Sequence, residues 1–129
     1  MRFNKIHHVA IISSNYKKSR EFYVEKLGFK ILDEVYRKDR DSYKLDLEVG
    51  GVYQIELFSF PNPPKRLGAP ESREACGLRH LAFEVDDILE TKKELEELGI
   101  EVEDIRKYQG KKYTFFKDPD GLPLEIYEK

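Results

Sequence analysis

The chain has 129 residues, 40% hydrophobic and 37% charged, with 23 Lys and Arg against 25 Asp and Glu and a net charge of -2. That length is one domain's worth, 1–129, with enough apolar residues for a core, and the absence of a basic excess argues against nucleic acid as a partner. No apolar run approaches the roughly 20 residues that span a bilayer, the N-terminus lacks the pattern of a signal peptide, and the one cysteine, Cys76, has no internal disulfide partner, so a cytoplasmic protein with no membrane contact is expected.

In chain order, the apolar run 9–12 predicts a strand directly after His7 and His8. A helix follows, with Ser19, Phe22, Tyr23 and Leu27 on one face, Ser14 or Asn15 as its cap and Gly28 as its stop. Three strand patterns come next, at 30–36, 42–49 and 53–60, the last two joined by Gly50 and Gly51 as a hairpin. Residues 61–77 are rich in proline and polar side chains and read as a linker.

The second half repeats the plan. His80 precedes a strand at 81–85, and a helix follows with Asp86 or Asp87 as cap, Ile88, Thr91, Leu95 and Leu98 as buried face and Gly99 as stop. Strand patterns at 102–107, 113–117 and 122–127 complete it, with a turn at the sequence KDPDGLP. The expected fold class is therefore α+β: two βαβββ modules, about 5–60 and 78–129, whose curved mixed sheets pair around a cavity.

The repeat carries chemistry. A histidine opens the first strand of each half (His8, His80), and a glutamate lies in the last strand of each (Glu56, Glu125). Taken singly, these have ordinary readings as boundary histidines and solvent-face glutamates. Their recurrence at equivalent positions sets a divalent metal site beside those readings, because imidazole nitrogens and carboxylate oxygens suit nickel, zinc, cobalt or iron. Strand alternation puts His7 and His8 on opposite faces, and the match of HVAI with HLAF selects His8.

The runs IHHVAII, SREFYVEKLGF, YQIELFSFP, CGLRHLAFEVDDI and FFKDPDGLPLEIYE resemble the vicinal oxygen chelate superfamily over essentially the whole chain. That superfamily includes glyoxalase I, fosfomycin-resistance proteins, extradiol dioxygenases and methylmalonyl-CoA epimerase. The longer runs look like its compact bacterial YaeR-like glyoxalase branch. The resemblance implies a divalent metal held by His8, Glu56, His80 and Glu125, with nickel, zinc or cobalt ahead of iron or manganese. Keeping His, Glu, His, Glu looks most like glyoxalase I, a lyase or isomerase that moves a proton next to a carbonyl through a metal-stabilised enediolate. Glu125 would then be the catalytic base, with Glu56 the other candidate.

The substrate would be a small molecule, possibly a thiol conjugate, and the family's habit predicts a homodimer. The alternatives are other chemistry of the superfamily (epimerase, dioxygenase, resistance transferase) or ligand binding without catalysis. No clear match to the glutathione-binding residues of glyoxalase I is present. Arg37 and Arg40 are the better-supported candidates for binding an anionic substrate, with Lys65, Arg66 and Arg73 behind them. Tyr43, Tyr53, Phe58 and Phe60 read as core aromatics, and Cys76 as a buried thiol.

Overall fold

The computed structural model describes residues 1–66 and 74–129. They form two compact units, Met1–Pro64 and Lys65–Lys129, each a four-stranded mixed sheet with helix on one side. No helix among the described residues is long and apolar enough to cross a membrane.

In the first unit the strands are β1 (Val9–Ser13), β2 (Lys30–Arg37), β3 (Ser42–Val49) and β4 (Val52–Ser59), in the order β1-β4-β3-β2. β1 and β4 are parallel, and the other pairs are antiparallel. Alternation sorts the faces: Ile11, Leu45, Leu47, Ile55 and Leu57 are buried on one side, while Lys44, Asp46 and Glu56 lie on the other. Val49 pairs with Val52 across Gly50 and Gly51. Both glycines have positive φ (62° and 88°), which a two-residue hairpin with the twist of its strands requires.

The first helix, α1, runs Tyr16–Arg20, and Asn15 rather than Ser14 caps it, its Oδ1 accepting from Lys18 N–H at 3.1 Å. The chain then widens into a π-helical segment, Glu21–Lys26, where Leu27 N–H donates to the carbonyl of Phe22 at 2.9 Å. In this wider turn the adjacent Phe22 and Tyr23 are both buried, edge to face at 5.1 Å.

The second unit has β5 (Leu81–Val85), β6 (Arg106–Tyr108), β7 (Lys111–Lys117) and β8 (Pro123–Glu128), in the order β5-β8-β7-β6 with β5 and β8 parallel. Its helix α2, Ile88–Glu97, is capped by Asp87, which accepts from Glu90 N–H at 3.0 Å. Glu128 of β8 accepts from Ile88 N–H at 2.9 Å, tying helix to sheet.

Two sequence expectations give way here. Leu98 is 43% exposed instead of buried. It caps α2, and the chain turns so that Ile100, bonded back to the Leu95 carbonyl, takes the buried place. The strand expected at 102–107 is confined to Arg106–Tyr108. Upstream of it the fully buried Thr114 donates its hydroxyl toward the carbonyls of Glu103 and Asp104, and Lys92 donates to those of Val102 and Glu103. Side chains there satisfy carbonyls that a longer ladder would use.

Candidate metal centre

In each unit the parallel pair of strands brings the histidine to the glutamate. Ala10 is in register with Glu56, and Ala82 with Glu125. Each histidine lies two residues before its alanine, directly ahead of the strand. His8 Nε2 is 3.7 Å from Glu56 Oε1, and His80 Nε2 is 2.9 Å from Glu125 Oε2. Two donors bound to one metal at about 2.1 Å in neighbouring octahedral positions are about 3.0 Å apart. Each pair therefore suits a metal with one imidazole nitrogen and one carboxylate oxygen. Among the described residues, no three His, Cys, Asp or Glu side chains gather into a metal-holding group; each unit presents a pair.

The surroundings of the two pairs differ. In the first unit Asp46 stands opposite Glu56 across the β3–β4 ladder. Tyr53 shares its hydroxyl between Asp46 Oδ1 (3.1 Å) and Glu56 Oε2 (3.2 Å). Lys44 Nζ grips both Asp46 oxygens (2.9 and 2.8 Å) and lies 3.5 Å from Glu56 Oε2. Glu56 is thus held from one side by a phenol and an ammonium. Burial, and then the Asp46 carboxylate, push the Tyr53 hydroxyl well above the usual tyrosine range, and the hydrogen bond to Asp46 raises Lys44, so both stay protonated as donors. The Tyr53 ring also stacks on His8, centroids 5.1 Å apart and planes within 3°.

In the second unit the position opposite Glu125 is Phe115. Its ring meets His80 edge to face at 5.3 Å. Among the described residues Glu125 has neither a phenol nor an ammonium on it; its partner is His80. Arg79 Nη1 lies 3.3 Å from His80 Nδ1, and Arg79 is also paired with Glu74.

His7 corrects its sequence reading. β1 begins only at Val9, so strand alternation does not yet govern 7 and 8. The His7 ring lies edge-on to both His8 and Tyr53 at 5.1 and 5.3 Å, and its Nδ1 is 2.8 Å from His8 Nδ1. Tyr53, read as core, is part of the site; its place three residues before Glu56 was the available signal. Lys44 and Asp46 gave none, because only the ladder register brings them beside Glu56.

Arg37 and Arg40 lie further along the same sheet, over Phe58 and Phe60. Arg66 is spent on the carbonyls of Leu78 and Arg79. Arg73 lies outside the described residues. Cys76 is exposed, contrary to the buried thiol expected, because it lies in the irregular stretch before β5 instead of in a packed element.

A family model for the Glyoxalase/Bleomycin resistance protein/Dioxygenase superfamily matches residues 5–126. The chain belongs to that superfamily. Within it, the chain is 56% identical to the uncharacterized protein YwkD of Bacillus subtilis over the full length of both chains. It is 54% identical to the uncharacterized protein YaeR of Escherichia coli, covering 97% of this chain and 96% of that one. A crystal structure of a glyoxalase family protein from Enterococcus faecalis is 51% identical, covers 99% of this chain and 100% of its own, and superposes with a TM-score of 0.87. Superfamily proteins sharing this fold include glyoxalase I and fosfomycin-resistance proteins, and divalent metal ions are typical of them.

Proposed function

We propose that the chain is a metal-dependent lyase or isomerase of the glyoxalase I type, with His8, Glu56, His80 and Glu125 as its ligands for a divalent metal. The observation that carries this reading is that in both units a histidine directly precedes a strand that runs parallel, in matching register, to the strand bearing a glutamate, each pair at a separation compatible with one metal between its two donors. When bound, the metal would polarise the oxygens of a substrate carbonyl.

The remaining chemistry falls to the side chains. Glu125, free of any phenol or ammonium, swings to take a proton from the carbon next to the carbonyl and returns it to the neighbouring carbon. Glu56, gripped by Tyr53 and Lys44, stays in place as a fixed ligand. Phe115 beside Glu125 keeps that side of the pair apolar, which favours proton transfer to carbon over transfer to water.

The test pairs metal content with proton transfer. The chain purified without added metal carries near-stoichiometric nickel, cobalt or zinc by elemental analysis. It exchanges the α-proton of the hemithioacetal of methylglyoxal in heavy water, followed by NMR. Glu125→Gln slows this by about a hundredfold or more while Glu56→Gln mainly lowers metal content. Full exchange by Glu125→Gln would remove Glu125 as the base.

A second reading, ligand binding without turnover, draws on one observation. Arg79, His80 and Glu125 form a row of contacts in which His80 is already engaged through both ring nitrogens. A chain that refuses metal on reconstitution supports this reading.

A further inference from the structure

The face of the first sheet that bears Glu56 continues into a cationic end. Ladder register settles this: Asp46 pairs with Glu56, Lys44 with Phe58, and Ser42 with Arg37. Ser42, Lys44 and Asp46 alternate onto one face of β3, and their partners share it. Phe58 and Phe60 stand two and four residues beyond Glu56, about 7 and about 13 Å along the strand.

Two guanidinium groups rest on these rings. Arg37 lies over Phe58 at 4.7 Å and over Phe60 at 5.7 Å, and Arg40 lies over Phe60 at 5.0 Å. Stacking is an ordinary use of arginine, but what these two lack is not ordinary. Among the described residues neither has a carboxylate within ion-pair distance, although 25 of the chain's residues are acidic. Arg37 Nη2 donates to Ser42 Oγ at 2.9 Å, which fixes the plane of the group, and its buried Nε has no hydrogen-bond partner. A buried unsatisfied donor is costly. Two cations over one ring also repel each other unless an anion joins them. The 3₁₀ turn that carries Arg40, Lys38–Arg40, is braced at its end, with Tyr36 donating its hydroxyl to Asp41 at 2.6 Å. Arginine's planar fork matches the oxygens of a carboxylate or a phosphate-type group.

We propose that Arg37 and Arg40, seated on Phe58 and Phe60, form an oxyanion subsite for the far end of the substrate. The substrate class is then an elongated molecule whose carboxylate or phosphate-type group lies about 7–13 Å from the reacting carbon. The distance rests on the proposed reaction at the Glu56-bearing site; the anion binding does not.

Two measurements separate those parts. The first follows the Nε–H signals of arginine in the full-length, metal-free chain by ¹⁵N–¹H NMR, during titration with methylphosphonate and, separately, propionate. Saturable shifts at Arg37 and Arg40 are expected with at least one probe, and the responding probe names the oxyanion. Arg106, which lies over Phe115 in the other unit, stays still. Arg37→Lys weakens binding about tenfold or more. No saturable shift, or equal shifts at every arginine, overturns the subsite whatever the enzyme assay gives.

The second compares kcat/KM for methylglyoxal hemithioacetals of mercaptohexanoate and of mercaptohexanol. A preference of about tenfold for the acid, abolished in Arg37→Lys/Arg40→Lys, supports the elongated class. Equal rates overturn it. An absence of turnover with both, beside normal guanidinium shifts, counts against the proposed reaction and leaves the anion subsite standing.

Discussion

His7 Nδ1 lies 2.8 Å from His8 Nδ1, so one ring must donate to the other. With the proton on His8 Nδ1, the His8 Nε2 lone pair is open on the side of Glu56; with the proton on His7, His8 Nε2 carries hydrogen instead. Metal ligation selects the first arrangement, in which His7 is the acceptor that orients its neighbour. His7→Phe is expected to keep the fold and lower metal affinity about 10–100-fold, measured by competition with a chelator. Unchanged affinity would make the contact incidental.

Arg79 does the opposite at the second pair. A guanidinium only donates, so the His80 nitrogen it meets is an acceptor, and neutral His80 then carries its proton on Nε2, facing Glu125. A metal at Nε2 needs the other tautomer and must displace this contact. Arg79→Leu is therefore expected to tighten metal binding, by up to about tenfold. Weaker binding in the same chelator competition would show that Arg79 supports the site instead.

The turn before β8 hangs on one buried carboxylate. Asp118 Oδ1 accepts from the backbone N–H of Asp120 and of Leu122, both at 2.9 Å, while Gly121 takes a φ of 84° and donates to the Asp118 carbonyl. Asp118→Ala leaves two amide donors without their acceptor and is expected to cost about 1–3 kcal/mol, read as a lower Tm. Because β8 starts here and carries Glu125 as its third residue, metal content is expected to fall as well.

Glu34 contributes acid sensitivity. It accepts from Arg20 Nε at 2.7 Å and from the Tyr16 hydroxyl, and the Arg20 guanidinium, then the Tyr16 hydrogen bond, hold its carboxyl below the usual range. A depressed folded-state pKa gives stability that is present above the unfolded value of about 4.3 and lost as pH falls through the folded value. Glu34→Gln is expected to flatten the fall in Tm between neutral pH and pH of about 3. The pair is partly exposed, so the effect is small and shrinks with added salt. An identical acid limb in the variant would place the sensitivity elsewhere.

How much of this was legible in the sequence follows from what each feature depends on. The helices, the Gly50–Gly51 hairpin, the succession of elements along the chain and the recurrence of His8 with Glu56 and His80 with Glu125 rest on periodicity, turn chemistry and internal repetition. All of these are local or self-similar along the chain. The helix boundaries held to within a residue or two for the same reason, except that the π-helical widening at Glu21–Lys26 has no separate sequence period.

Register and packing decided the rest. Nothing in the order of residues says that Asp46 stands opposite Glu56 while Phe115 stands opposite Glu125, nor that Tyr53 and Lys44 reach Glu56 while His80 reaches Glu125. His7 turned toward His8 because both precede the strand, which begins at Val9, and strand alternation does not reach them. Leu98 lost its buried place to Ile100 through a turn at the end of α2. The sequence alone brought out the two histidine–glutamate pairs on which the proposed site draws. Only the pairing of strands decided their neighbours, because cross-strand contacts form between residues far apart in the chain and a shift of one position would turn each side chain to the other face.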